Sequence, residues 1–184
     1  MQNQRPYNIS NPQGIYFVTF SVVQWVDVFT RSIYRDIVVE SMKYCIEHKG
    51  LILYAWCLMS NHMHLIIGAR NDHNLSDIIR DLKKFTSKRI VEAIDSENES
   101  RKSWMLWLFR SSGKRNPNNV YFQFWQQGNH AIELYSNKFM QQKLDYVHNN
   151  PVEALIVSNP EDYIYSSARN YCGLPGLIEV EFIQ

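Results

Sequence analysis

Three cysteines in 184 residues, Cys45, Cys57 and Cys172, are too few and too widely spaced for a disulfide framework, and none belongs to a C-x-x-C pair. They read as reduced, mostly buried thiols. No stretch approaches the roughly 20 apolar residues of a membrane span, and the opening Met1-Gln-Asn-Gln-Arg-Pro6 lacks the apolar run of a secretory signal. A cytoplasmic protein with no membrane partner is therefore the expectation. Charge of one sign is also missing: 19 Lys and Arg against 18 Asp and Glu leave a net +1. Strong phosphate binders carry a distinctly basic balance, so any affinity for nucleic acid must be local. Internal repeats and low-complexity segments are absent too. What is present is a 45% hydrophobic content, enough for one sizeable core, and residues 1–184 are expected to form a single domain.

Hydrophobic periodicity sets out the elements. Gly14–Val23 is β-branched and aromatic and reads as a strand. Ile33, Ile37, Val38, Met42, Cys45 and Ile46 recur at helical spacing before a Lys49-Gly50 stop. Leu51–Met59 and His62–Gly68 are apolar runs separated by Ser60-Asn61, which predicts a hairpin. Leu75, Ile78, Ile79, Leu82 and Phe85 start a second helix, with Asn74 or Asn71 as its cap. The stretch 95–119, polar around Trp104–Phe109, reads as an insertion with a mobile loop over Gly113–Asn119. Tyr121–Trp125 predicts a further strand. Ser136 caps a helix to about Asn150, which Pro151 ends, and an irregular tail covers 152–184. This order matches the split βαβ arrangement of an α+β, ferredoxin-like fold: an antiparallel sheet with helices on one face, plus an additional C-terminal helix.

Two pairs of residues could carry chemistry. His62 and His64 are two apart on a predicted strand, so both imidazoles share one face while Met63 takes the other. Alone, an H-x-H is more often two polar residues on a solvent face. In the last helix, Phe139, Met140, Leu144 and Val147 define the apolar side. Tyr146 and Asn150 stack on neighbouring turns at its edge, whereas His148 and Asn149 project to the opposite side. A tyrosine and an amide can thus face one site, although each residue is also common at such positions for purely structural reasons.

Together the two stretches are specific. Cys57-Leu-Met-Ser-Asn-His-Met-His-Leu65 resembles the M-x-N-H-x-H signature of single-tyrosine HUH transposases. Tyr146-Val-His-Asn-Asn-Pro-Val152, followed by Pro160-Glu-Asp-Tyr163 and Tyr165-Ser-Ser-Ala168, resembles the REP-associated tyrosine transposases, a group of the IS200-like transposases, and Trp125-Gln126 matches a further element. The resemblance runs from about Ile15 to Tyr171. It implies a ferredoxin-like core in which His62, His64 and Asn150 hold a divalent cation, magnesium or manganese, and Tyr146 is the nucleophile. It further implies cleavage of single-stranded DNA carrying hairpin-forming repeats through a 5′-phosphotyrosine link with release of a 3′ hydroxyl, and it leaves a homodimer open.

The chemistry is coherent. Neutral ligands leave a cation its full charge for a phosphodiester oxygen, and a phenol, with a reference pKa of about 10, is helped to lose its proton by a nearby cation. A retained phosphotyrosine bond allows strand transfer as well as hydrolysis. His130 and His148 are candidate proton shuttles, and neither is singled out. Lys83, Lys84, Lys88, Arg110, Lys114 and Arg115 are the local cations available to DNA, with Trp104, Trp107, Phe122 and Trp125 as candidate stacking rings. Competing readings are a replication initiator or relaxase, a domesticated hairpin-binding protein without nuclease activity, and a zinc site formed by Cys57 with His62 and His64.

Overall fold

The computed structural model describes residues 9–115, 121–128 and 130–183. Four strands form one antiparallel sheet in the order β2-β3-β1-β4: β1 is Tyr16–Ser21, β2 Leu51–Leu58, β3 His62–Ala69 and β4 Ile132–Glu133. The helices are α1 (Ser32–His48), α2 (Leu75–Ser96), α3 (Lys102–Lys114), α4 (Asn137–Glu153) and α5 (Ala168–Tyr171). This is the antiparallel order of a ferredoxin-like α+β fold. Among the described residues no helix is long and apolar enough to cross a membrane.

Strand alternation divides the side chains between two cores. Tyr16, Val18 and Phe20 of β1 and Met63, Leu65 and Ile67 of β3 pack under α1 and α2, whose apolar stripes include Val38, Met42, Ile78 and Leu82. Phe17, Ala55, Cys57 and Ile66 point the other way and receive Leu144 and Val147 of α4. The sheet therefore has helices on both faces, where the sequence predicted one covered face and a surplus helix. The apolar side of α4 needs burial as much as those of α1 and α2, and the second sheet face is the apolar surface left to it.

The predicted caps are in place. The Asn74 side-chain oxygen accepts from the Ser76 and Asp77 amides at 2.8 and 3.3 Å, and Ser136 Oγ accepts from the Phe139 amide at 3.3 Å. Pro151 does not end α4, which runs on to Glu153. Proline gives up its own amide hydrogen bond and disfavours a helical residue before it, yet here it lies two residues from the helix's end at Glu153, where only the last turn bears that cost and its ring is buried.

Two further expectations are corrected. The fourth strand is Ile132–Glu133 and not Tyr121–Trp125, which makes only an isolated bridge from Trp125 to Val22 just past β1. Phe124 and Trp125 bury their rings in the α1–α2 core, and the Gln123 amide donates to Phe109 O of α3 at 3.0 Å, which draws this stretch out of a ladder. The stretch expected as an insertion holds a helix, α3, that buries Met105, Leu106 and Phe109. The loop expected over 113–119 falls largely on 116–120, outside the described residues.

The tail has only a 3-10 turn at Pro160–Asp162 and the short α5, yet it is firmly placed. The Leu58 amide donates to Tyr165 O, the Ser167 amide to Trp56 O and the Glu181 amide to Leu53 O, each at 2.9 Å, so the tail runs along the open edge of β2. The Tyr163 and Tyr171 hydroxyls donate to Leu58 O and Tyr54 O at 2.8 and 3.0 Å.

His148, expected on the side away from the site, is turned into this tail, with Nε2 2.8 Å from Ser167 Oγ, which also accepts from the Trp56 amide at 2.9 Å. Burial lowers its pKa to about 4, against a smaller opposing pull from Asp145. A histidine kept neutral in the fold and free to charge when unfolded gives stability that is present above its ordinary value of about 6.5 and lost as pH falls toward 4. Lowering the pH from 7 to 5 should therefore cost about 1–2 kcal/mol through this residue alone. In urea titrations at the two pH values His148→Gln should lose less stability than the parent on acidification; an equal loss would show that His148 is not neutral in the fold.

Candidate active site on the second sheet face

His62 and His64 share the α4 face of β3, with ring centroids 4.8 Å apart. The antiparallel register sets Thr19 opposite His64 and Ser21 opposite His62. His64 is nearly fully buried: Phe17 stacks on it at 5.5 Å, Thr19 Oγ1 lies 2.9 Å from Nδ1, and the Tyr146 hydroxyl lies 3.4 Å from Nε2. Burial, assisted by His62 and the Lys143 ammonium, drives its pKa down to about 3. The imidazole is neutral at ordinary pH and keeps a lone pair to offer. His62 is also lowered, chiefly by burial, against a hydrogen bond with Asn150 that acts in the opposite sense.

The meeting of the two pairs follows from elementary dimensions. Residues four apart on a helix are separated by about 6 Å along its axis, and residues two apart on a strand by about 6.7 Å. Tyr146 and Asn150 on α4 can therefore each meet one partner of the His62 and His64 pair on β3. Tyr146 contacts His64 and Asn150 contacts His62. Leu144 and Val147 dock α4 against the sheet and hold this alignment. Tyr146 keeps 40% of its surface exposed, in contrast to the buried His64 that its hydroxyl meets. One turn earlier, Lys143 Nζ lies 4.7 Å from the Phe17 ring centre and 5.5 Å from that of Tyr146.

The sequence did not single out the groups behind the histidines. Asn61 Nδ2 donates to Asp27 Oδ1 at 3.1 Å and to Trp25 O at 3.3 Å, and Asn61 Oδ1 lies 2.7 Å from His62 Nδ1. A carboxylate only accepts, so the amide must turn its NH2 to Asp27 and its oxygen to His62. Nδ1 of His62 then carries the proton and donates, leaving Nε2 with the lone pair. Gln24 and Trp25, beside this arrangement, both have φ of +55°, a conformation disfavoured for residues with a Cβ. The Trp25 ring stands edge-on to His62 at 6.0 Å. Trp25 and Asp27 follow β1 and Asn61 precedes β3; only the tertiary fold, which no local pattern encodes, brings Trp25 and Asp27 to Asn61 and His62.

Cys57 belongs to the same face but offers no thiolate. Burial pushes its thiol up to about 12, and its Sγ lies 3.7 Å from Met59 Sδ. Among the described residues no three His, Cys, Asp or Glu side chains cluster as a metal site. A cation here would have to be held by the imidazoles and an amide oxygen.

The six candidate DNA cations are not at the histidines. Lys83, Lys84 and Lys88 are on α2, Arg110 and Lys114 on α3, and Arg115 follows α3, all in the helical layer across the sheet from α4. The Lys83 ammonium is turned inward, donating to Gln126 O and Gly128 O at 3.1 and 3.2 Å, and burial lowers it to about 8.

Comparison with known proteins gives this four-stranded antiparallel sheet, whose H-x-H on β3 faces a helical tyrosine, a family. The IS200-like transposase model matches residues 13–112, more than half of the chain, and the chain belongs to that family of DNA-processing enzymes. It is 26% identical over 158 residues to a Haemophilus influenzae protein described as a REP-associated tyrosine transposase, covering 84% of this chain and 79% of that one. A solved structure of a REP-associated tyrosine transposase bound to a REP hairpin superposes with a TM-score of 0.63 at 19% identity, over 100% of this chain and 94% of the other. That likeness shows the shared fold.

Removing the Asn61 amide should release the His62 ring. In Asn61→Ala, long-range proton–nitrogen spectra of the imidazole are expected to change from a single Nδ1-protonated form to an average of both tautomers. An unchanged spectrum would mean that other contacts fix the ring.

Proposed function

We propose that this protein is a metal-dependent, single-stranded DNA endonuclease and strand transferase that acts on hairpin-containing DNA. The observation that carries the reading is the 3.4 Å approach of the hydroxyl of Tyr146, a partly exposed residue, to a buried, neutral His64 that has His62 and, through it, Asn150 beside it. A magnesium or manganese ion held by His62, His64 and Asn150 would neutralise the scissile phosphate and favour in-line attack. The donor chemistry fits, because two neutral imidazoles and an amide oxygen suit a divalent cation and add no negative charge of their own.

Tyr146 is the nucleophile in this reading. Its oxygen bonds to phosphorus as the bond from phosphorus to the 3′ oxygen breaks. The DNA 5′ phosphate is left on the tyrosine, the phenolic proton leaves, and the departing 3′ oxygen takes up a proton to become a hydroxyl. Attack by a 3′ hydroxyl on the same phosphorus reverses these steps and joins strands. Lys143, whose ammonium lies over the rings of Phe17 and Tyr146, puts a positive charge on the side of the site where a DNA phosphate would enter. Phe17 and Val147 limit the positions the ring and helix can take, which keeps the attacking atom oriented without further ordering at the moment of reaction. The hairpin bound by the structural relative is the substrate class proposed for this chain.

Protein mixed with labelled DNA hairpins from its own genomic surroundings and manganese should give a band that survives denaturing electrophoresis. Tyr146→Phe should bind the same hairpin and give no such band, and any residual nicking by that variant would sink the assignment. His64→Ala should lose the metal-dependent adduct and weaken manganese binding measured by calorimetry. Unchanged affinity and activity would show that the histidine pair has another role. Tight hairpin binding without an adduct under any divalent metal would favour a DNA-binding protein that has lost its nuclease step.

A further inference from the structure

Helix α3 is amphipathic in an unusual sense. Toward the core it buries Met105, Leu106, Phe109 and Gly113. On its outer side it presents Trp104 and Trp107, 51% and 64% exposed, with Arg110 and Lys114 one and two turns beyond Trp107. A helix on a globular protein ordinarily turns tryptophan inward and keeps its wet side polar. Tryptophans interleaved with cations on the wet side are the composition of a surface for unpaired bases, where rings stack on bases and cations meet phosphates.

Tyr121 joins this face to a second hollow. It is 80% exposed and closes a depression of about 360 Å³ with Trp107, Arg110 and Lys114. The same tyrosine stands on the rim of a cleft of about 830 Å³ between α2 and residues 121–128, walled by Lys84 and Lys88. Among the described residues, the only carboxylate lining either hollow is Glu92, which already lies 3.9 Å from Lys88 and 3.3 Å from Arg89. A Cβ on Gly113 would come within 2.6 Å of Phe122 Cα, so the backbone of α3 presses directly on the chain that carries Tyr121. The Gln123 amide donates to Phe109 O, a second tie of this stretch to α3, so the backbone just after Tyr121 is placed before any ligand arrives.

The cleft also has a direction. Its far wall includes Gln126, whose amide donates to Ser21 O at 2.8 Å, and Ser21 is the register partner of His62. A strand lying along α3 and the cleft therefore leads past the end of β1 to the edge of the sheet that carries the histidines.

We propose that the outer face of α3, with Tyr121 and the α2 lysines, is a track for single-stranded DNA, taking the unpaired stretch that adjoins a hairpin. The inference rests on the DNA-processing reading of the family, not on the role given to Tyr146. The bases stack on Trp104, Trp107 and Tyr121, and Arg110, Lys114, Lys84 and Lys88 follow the backbone.

The test uses the whole protein and a 20-nucleotide oligo(dT), with a blunt duplex of equal length as the control, read by quenching of tryptophan emission and by anisotropy of labelled DNA at several salt concentrations. Trp104→Ala with Trp107→Ala should weaken oligo(dT) binding on the order of tenfold to a hundredfold and change duplex binding little. Arg110→Gln with Lys114→Gln should lower the slope of log affinity against log salt by about 1.4. Tyr146→Phe should bind oligo(dT) like the parent, so loss of adduct and loss of the track are separate readings. Unchanged oligo(dT) affinity in the tryptophan variant would overturn the proposal, as would an equal loss for the duplex. A shift in sedimentation without a change in DNA affinity would assign this face to a protein interface and overturn it too.

Discussion

A neutral imidazole buried against an aromatic ring is the constraint around which the second sheet face is built. His64 is nearly sealed from solvent, and a buried polar side chain left without partners costs about 1–3 kcal/mol. Thr19 answers one ring nitrogen from the neighbouring strand and Tyr146 approaches the other from the helix. The covering of α4 removes water from the ring, so the packing that hides His64 also keeps it unprotonated. Loosening α4 would undo both effects together.

The helix in turn is held at two levels. Leu144 and Val147 fix its face against the sheet, and the hydrogen bond from His148 to Ser167 ties its last turns to the tail over β2. Tyr146 lies among these anchors and Asn150 two residues beyond them, which limits both roll and slide of the helix. The alignment of a four-residue step on α4 with a two-residue step on β3 needs this restraint, since the two lengths differ by less than an ångström on ideal geometry, about 6 against about 6.7 Å.

Local pattern carried much of this. The period of two placed His62 and His64 on one face and Met63 on the other, and the period of 3.6 placed Tyr146 and Asn150 together; both groupings hold in the fold. Asn74 and Ser136 were legible because capping depends on neighbours two or three residues away. Information carried by distant residues was not legible. Thr19 reaches His64 only through the register of β1 with β3, and Asn61, though next to His62 in the chain, is oriented by the distant Asp27. Tyr121–Trp125 has the composition of a strand, but α3 and the core claim its backbone and rings, while the actual edge strand has just two residues and no pattern to reveal it. The tail offered no periodicity because its bonds to β2 are made largely by backbone and by tyrosine hydroxyls.

The placing of that tail also settles which way the sheet can grow. An open strand edge is a template on which another chain can add, and β2 would be a long apolar one. With Tyr165, Ser167 and Glu181 bonded along it, this border is spoken for from within the same molecule. The opposite border offers only the short β4, too brief a template for strand addition. Cover from within the chain thereby joins the irregularity in β2 between Leu53 and Ala55 in guarding the molecule against edge-to-edge aggregation.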